Sequence, residues 1–246
     1  MQLGLLGFPL GHSFSKAYFT AKFAQLGDTA STYALFAYAN IDDFWREEVQ
    51  KNPDLRGFNV TIPHKKNIIA YLDSLDAAAQ AVGAVNTIVR QPDGSWRGYN
   101  TDIVGFAQSL APLLSAVPPA ALVLGTGGAA QAVRYVLAQR GIAYTQVSRT
   151  KNPTAMTYEE LMAQNLAQYP LIINTTPLGM QPNILTAPPL LYAQLTPQHL
   201  VYDLVYNPPE TRLLALACAQ GCTCKNGLEM LHLQADAAWQ LWGNFL

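Results

Sequence analysis

Among the polar residues at this sequence's expected strand ends and loops, Lys65 and Asp102 are the pair whose types could move a proton between them. Lys65 stands in "RGFNVTIPHKKN", residues 56–67, where an apolar run stops at Pro63 and His64, Lys65 and Lys66 follow at once. Only 13% of the chain is charged, so a lysine at this strand end is either solvated or held at the lip of a site. Other polar side chains fall at expected strand ends and loops: Ser13, Ser15, Asn59, Thr61, Asn86 and Asn100. Hydroxyls and amides with one cation and one acid suit a small, polyhydroxylated, anionic ligand. No zinc-ligand cluster accompanies them, so a carbonyl here would be polarised and protonated by a side chain. His12 and His64 flank the same region and are expected to line it or hydrogen-bond there, not to act as bases.

A second constellation is "ALVLGTGGAAQAVRYVLAQRG", a hydrophobic strand, a glycine turn and a helix in that order. Gly125, Gly127 and Ala130 fit G-x-G-x-x-A, which turns tightly, lets backbone approach a pyrophosphate and packs helix on strand. The helix N-terminus adds unpaired N–H groups and a positive dipole end. A second strand, "YTQVSRT", ends about twenty residues on, as a dinucleotide fingerprint requires. That strand end offers Ser148, Arg149, Thr150 and Lys151 and no acid. A planar guanidinium suits a 2′-phosphate, so the pattern favours NADP over NAD.

These residues need elements to hold them. From the N-terminus, "QLGLLG" reads as a strand and "FSKAYFTAKFAQLG" as a helix closed by Gly27. "TYALFAY" is a strand, "IDDFWREEVQK" a helix and "GFNVTIP" a strand. "NIIAYLDSLDAAAQAVG" reads as one helix, and "AVNTIVRQPDGSWRGYN" as two strands joined at Asp93–Gly94. "DIVGFAQSLAPLLSA" is a helix that Thr101 or Asp102 could cap. Beyond Pro118 and Pro119 the alternation restarts and runs to "LVYDLVYNP". Such βα alternation predicts an α/β fold with largely parallel sheets, divided near residue 101. The last helix, "NGLEMLHLQADAAWQLW", is apolar on more than one face and should pack between layers, with Trp239 and Trp242 as core.

Bulk properties narrow the classes. With 246 residues the chain can bury one large core or two modest ones. A net charge of −1 gives no electrostatic footprint for nucleic acid or an anionic membrane. No apolar stretch is long enough to span a bilayer, and "MQLGLLGFPLGH" does not read as a signal peptide. Three cysteines, Cys218, Cys222 and Cys224, are expected to be buried free thiols, and a cytoplasmic setting fits them.

The motifs "GHSFS", "NVTIPHKK", "GAVNT", "NTDIVGF", "GTGGAA", "SRT", "INTTPLGM", "YDLVYNPPET" and "GLEMLHLQA" together resemble the successive motifs of the shikimate dehydrogenase family, in order and spacing, from about residue 7 to 234. The resemblance implies NADP-linked interconversion of 3-dehydroshikimate and shikimate, on the route to chorismate and the aromatic amino acids. It implies an N-terminal α/β substrate domain over 1–101 and a Rossmann-type NADP-binding domain over 102–225. A C-terminal helix, within 226–246, would return to the first domain. Carried over, Ser13 and Ser15 resemble the serines that bind the shikimate carboxylate. Thr61, Asn86 and Gln234 resemble residues holding ring hydroxyls, Tyr206 completes the substrate pocket, and Lys65 with Asp102 resembles the catalytic pair. Gly125, Thr126, Gly127, Gly128 and Ala129 match the pyrophosphate loop, and Ser148, Arg149 and Thr150 the 2′-phosphate patch. Leu204 and Gly227 match positions near the nicotinamide.

Two departures stand out. The patch begins with Ser148 where the family has asparagine, and Pro153 falls where a second arginine is usual, leaving Arg149, helped by Lys151, to make the phosphate contact. The chain also stops soon after Trp242, without a further terminal helix of many relatives. Helix capping is the plain alternative for Ser13, Ser15 and Asp102. A broader quinate/shikimate dehydrogenase using NAD or NADP, or a non-catalytic shikimate sensor, remain the alternative functions. As a monomer or homodimer, the protein is expected to engage a small molecule and neither nucleic acid nor membrane.

Overall fold

The computed structural model describes residues 1–11 and 13–243. Its chain divides into two compact units, Met1–Thr101 with the chain end from Ala235, and Asp102–Gln234. In the first unit the elements run β1 (Gln2–Gly7), α1 (Phe14–Gln25), β2 (Thr32–Ala37), α2 (Ile41–Phe44), β3 (Gly57–Val60), β4 (Ser74–Leu75), α3 (Ala77–Val82), β5 (Thr87–Arg90) and β6 (Trp96–Tyr99). The sheet order is β2-β1-β3-β5-β6-β4. The expectation of a largely parallel sheet is only half met here. β1 pairs in parallel with β2 and β3, and β4 with β6, but β5 runs antiparallel both to β3 and, across the Asp93–Gly94 hairpin, to β6.

The single helix expected over "NIIAYLDSLDAAAQAVG" is also corrected. A 3₁₀ turn spans Asn67–Tyr71, the short β4 follows, and Asp76 then caps α3 by accepting from the Ala79 N–H at 2.8 Å. Asp73 accepts from the Trp96 N–H at 2.7 Å, which draws the middle of the segment onto the sheet edge. Both aspartates side-bond to backbone and compete with a continuous helix.

The second unit contains α4 (Asp102–Leu110), β7 (Ala120–Leu124), α5 (Gly128–Gln139), β8 (Ala143–Ser148), β9 (Met156–Thr157), α6 (Tyr158–Met162), β10 (Leu171–Asn174), β11 (Leu200–Asp203), α7 (Arg212–Cys218), β12 (Thr223–Lys225) and the start of α8 (Leu228–Gly243). Its strands are all parallel in the order β12-β11-β10-β7-β8-β9. Numbered from β7 this is 3-2-1-4-5-6, the doubly wound dinucleotide-binding order, with its switch point between β7 and β10. Along β7, Ala121 and Val123 face one buried cluster while Leu122 and Leu124 face the other. Burial on both faces explains why the strand reads as an unbroken apolar run.

The division into units falls inside α8. Met230 packs with Phe106 and Tyr202 in the second unit, whereas Ala235, Ala238 and Trp242 pack with Leu3, Phe19, Phe23 and Tyr33 in the first. Trp239 lies edge-on to Phe23 at 5.9 Å, and Trp242 donates its indole N–H to the Ile88 carbonyl at 2.9 Å. Trp242 is therefore core, as expected, while Trp239 is only partly buried and packs against it.

The cysteine expectation is revised. Cys218 and Cys224 are bonded to each other, with Cα atoms 6.2 Å apart, and Cys222 alone is free. The return of β12 beside the end of α7 brings a short sequence separation into bonding range. Burial pushes the Cys222 thiol up.

Candidate active site

In the first unit, the expected substrate residues gather at one end of the sheet, where β1 and β3 finish and β5 begins. Asn59, on β3, is buried and donates to the Thr87 hydroxyl at 3.0 Å and the Asn86 carbonyl at 3.2 Å. Its own carbonyl oxygen accepts from the Tyr33 hydroxyl at 2.7 Å. Tyr33 in turn is hydrogen-bonded to Ser15, and burial holds its phenol far above the ordinary tyrosine range, with the Ser15 bond opposing. At the other end of the chain of bonds, the Asn86 side chain accepts from the Thr101 N–H at 2.7 Å and donates to the Thr101 hydroxyl at 3.0 Å. Ser15, Tyr33, Asn59, Asn86 and Thr101 thus form one continuous polar network. Sequence reasoning missed Tyr33, because nothing local to "TYALFAY" separates it from a core tyrosine.

Ser13 does cap α1, accepting from the Lys16 N–H at 3.3 Å, so the plain reading of that serine holds as local structure. Ser15 lies inside the first turn and bonds Tyr33 instead. Thr61 follows β3 and donates its N–H to the Leu6 carbonyl at 2.8 Å, fixing the loop that carries Lys65. That loop is pinned on both sides of the lysine. His64 is buried, with Nε2 2.7 Å from the Tyr38 carbonyl, and the Lys65 carbonyl accepts from the Val85 N–H at 2.8 Å. His64 is therefore a hydrogen-bonding residue as expected. His12 lies outside the described residues. Lys66 is exposed.

In the second unit, Asp102 opens α4 and is buried. One turn on, Gly105 lies so close to α8 that a Cβ there would stand 2.5 Å from the Met230 carbonyl oxygen and 3.0 Å from the Gln234 Cβ. Residues three apart share a helix face, so Asp102 lies on the side of α4 that meets Gln234's helix. Tyr206 follows β11, and burial raises its phenol.

The glycine loop leaves β7 at the switch point. Gly125 has φ +114°, and a Cβ there would meet the Thr175 hydroxyl at 2.5 Å, so both conformation and space require glycine. The Thr175 hydroxyl donates to the Leu124 carbonyl at 2.7 Å, joining β7 to the β10 loop. Thr126 and Gly127 are exposed, and Gly127 caps α5 without any side-chain hydrogen bond. The first-turn N–H groups of Gly128 and Ala129 are thereby left for an anion. Ser148 ends β8 and accepts from the Thr150 N–H at 3.3 Å, while Arg149 is exposed beside it. Pro153 sits in a turn closed by the Asn152 side chain, which accepts from the Thr154 N–H at 3.0 Å. The features fit a phosphorylated dinucleotide: a glycine-only turn, an uncapped helix start and one exposed guanidinium.

Asp203 is a further residue the sequence did not reveal. It ends β11 fully buried, and accepts from the Val205 N–H at 3.0 Å, the Asn174 amide at 2.9 Å and the Thr211 hydroxyl at 2.5 Å. Burial raises its carboxyl against these three donors. The bonds lock the ends of β10 and β11, and so position the segment bearing Leu204 and Tyr206. Gly227 joins the same place, its N–H donating to the Val205 carbonyl at 3.2 Å. Among the described residues no group of His, Cys, Asp and Glu could hold a metal ion, and no helix is long and apolar enough to cross a membrane.

Comparison with known proteins agrees with this geometry. Residues 5–88 match the family model described as the shikimate dehydrogenase substrate binding domain. A shikimate dehydrogenase (NADP(+)) of Desulforamulus reducens is 36% identical over 98% of this chain and 89% of its own length. The chain belongs to the shikimate dehydrogenase family. Solved structures of the family superpose closely. The Aquifex aeolicus enzyme gives a TM-score of 0.86 at 32% identity, covering 99% of this chain and 92% of the other. The Thermus thermophilus enzyme in complex with NADP(H) and shikimate gives 0.85 at 30% identity, covering 99% and 94%. The two-domain, Rossmann-type α/β architecture expected from the sequence is thus that of the family.

Proposed function

We propose that this protein is an NADP-linked shikimate dehydrogenase, interconverting 3-dehydroshikimate and shikimate on the route to chorismate, with Lys65 and Asp102 handling the proton. The observation that carries the reading is the network from Ser15 through Tyr33 and Asn59 to Asn86, at the sheet end where the Lys65 loop leaves β3. It fixes polar groups for a small hydroxylated acid before any ligand arrives. Ser13 and Ser15, near the positive end of α1, hold the carboxylate. Thr61, Asn86 and Gln234 hold the ring hydroxyls, with Tyr206 closing the pocket.

Bound NADP supplies the hydride donor or acceptor. Gly125 to Ala129 hold its pyrophosphate, Ser148, Arg149 and Thr150 its 2′-phosphate, and Leu204 and Gly227 lie by its nicotinamide. In reduction, the Lys65 ammonium stabilises negative charge growing on the C3 oxygen and gives that oxygen its proton; in oxidation the neutral amine takes it back. The Asp102 carboxylate favours the charged lysine against desolvation and accepts a hydrogen bond from the neighbouring hydroxyl. The domain roles follow: 1–101 with the chain end binds substrate, and 102–225 binds the dinucleotide. The enzyme works in the cytoplasm, as a monomer or homodimer.

The test follows nicotinamide absorbance with shikimate or quinate and NADP or NAD. Reduction of NADP by shikimate, ahead of the other three pairings, is the expected outcome. Equal rates with quinate would favour the broader enzyme, and no reduction with any pair would sink the reading.

A further inference from the structure

The opposite end of the first sheet carries a pocket that the proposed reaction does not use. There β3 begins at Gly57, β5 ends at Arg90 and β6 begins at Trp96. A cavity of about 300 Å³ lies among Pro53, Arg56, Val89, Arg90, Pro92 and Trp242. Arg56 is exposed, and its guanidinium has no hydrogen bond or ion pair among the described residues. Arg90 is half-held: Nη1 donates to the Pro53 carbonyl at 3.1 Å and the guanidinium lies 5.6 Å from the Trp96 ring centre. Its remaining N–H donors have no described acceptor. The nearby Asp93 carboxylate is turned to Ser95, accepting from its N–H at 3.0 Å and its hydroxyl at 2.7 Å.

Among the described residues, two arginines and no carboxylate line this pocket, beside the apolar Val89, Pro92 and Trp242. We propose that this pocket binds a small organic anion, a phosphate or carboxylate carried on a flat apolar body. The Arg56 and Arg90 forks match the planar or tetrahedral oxyanion. Val89, Pro92 and the edge of Trp242 take the apolar part. The site is separate from the Lys65 end, so its ligand need not resemble shikimate.

Trp242 supplies the readout, because it lines the cavity and its indole N–H is fixed on the Ile88 carbonyl. Phenyl phosphate, benzoate and inorganic phosphate would each be titrated into ¹⁵N-labelled protein, with the indole resonances followed. The Trp242 signal is assigned by its loss in Trp242→Phe. Saturable movement with phenyl phosphate or benzoate, weaker with inorganic phosphate, is expected; which of the two binds tighter identifies the head group. Arg56→Ala should weaken binding roughly tenfold, as expected for loss of a charge-assisted bond, and leave shikimate turnover unchanged. Arg90→Lys, which keeps charge but loses the fork, should give an intermediate loss. No saturable movement, or equal binding by Arg56→Ala, overturns the site. Inorganic phosphate binding as tightly as phenyl phosphate overturns the apolar half of the assignment.

Discussion

Tyr33 joins Ser15, which should grip the substrate carboxylate, to Asn59, which bonds the Asn86 that should grip its ring. Its hydroxyl meets Ser15 on one side and the Asn59 oxygen, at 2.7 Å, on the other. Tyr33→Phe leaves the buried Asn59 oxygen without its donor, which costs about 1–3 kcal/mol. Urea unfolding should report that loss, and steady-state kinetics should show KM for shikimate rising more than kcat falls. Tyr158 is expected to behave in the opposite way. Its hydroxyl is buried without a hydrogen-bond partner among the described residues, and burial pushes its phenol up to about 12 while the Arg149 charge opposes. Tyr158→Phe removes an unsatisfied group, so the unfolding midpoint should rise, by up to ~1 kcal/mol in stability. A lowered midpoint would mean that the hydroxyl has a partner in solution.

At the scale of elements, function depends on turns that only certain residues can make. Gly125→Ala would place a methyl group 2.5 Å from the Thr175 hydroxyl at φ +114°. Strain of about 1–3 kcal/mol should appear in unfolding, and KM for NADP should rise while shikimate binding is kept. Arg149→Ala should raise KM for NADP about tenfold to a hundredfold and leave KM for NAD nearly unchanged. Loss of both equally would move the 2′-phosphate contact elsewhere. The glycine loop, the Asp93–Gly94 hairpin and the Arg149 strand end were legible in the sequence because residue type and spacing along one continuous stretch mark each of them. The Tyr33–Asn59 bond was not, since no residue pattern links the two positions and only β-pairing through β1 brings them together. Asp203 reads in sequence as one more strand-end acid, and its role exists only once β10 lies beside it. The segment around Asp73 and Asp76 misled in the other direction, because its apolar spacing suits a helix while its aspartates bond backbone elsewhere.

Across the whole molecule, phenols are repeatedly held protonated. Burial raises Tyr33, Tyr158, Tyr192, Tyr202 and Tyr206, with Tyr202 pushed to about 12. The folded value of each lies above the unfolded one, so the stabilisation is whole below the ordinary tyrosine value and is lost as pH rises beyond it. Urea midpoints should therefore be flat from about pH 8 to 9 and fall steeply above about pH 10. Tyr202 alone contributes a slope of at most about 1.4 kcal/mol per pH unit there. Midpoints that stay level to about pH 11 would show these hydroxyls to be solvated.

The most direct measurement of the chemistry compares Lys65→Ala with the wild type, following shikimate-dependent NADP reduction alongside calorimetric binding of shikimate. The expected result is a kcat lower by about 10²–10⁴-fold with shikimate binding weakened far less. Turnover near the wild-type rate would contradict the assignment of the proton to Lys65.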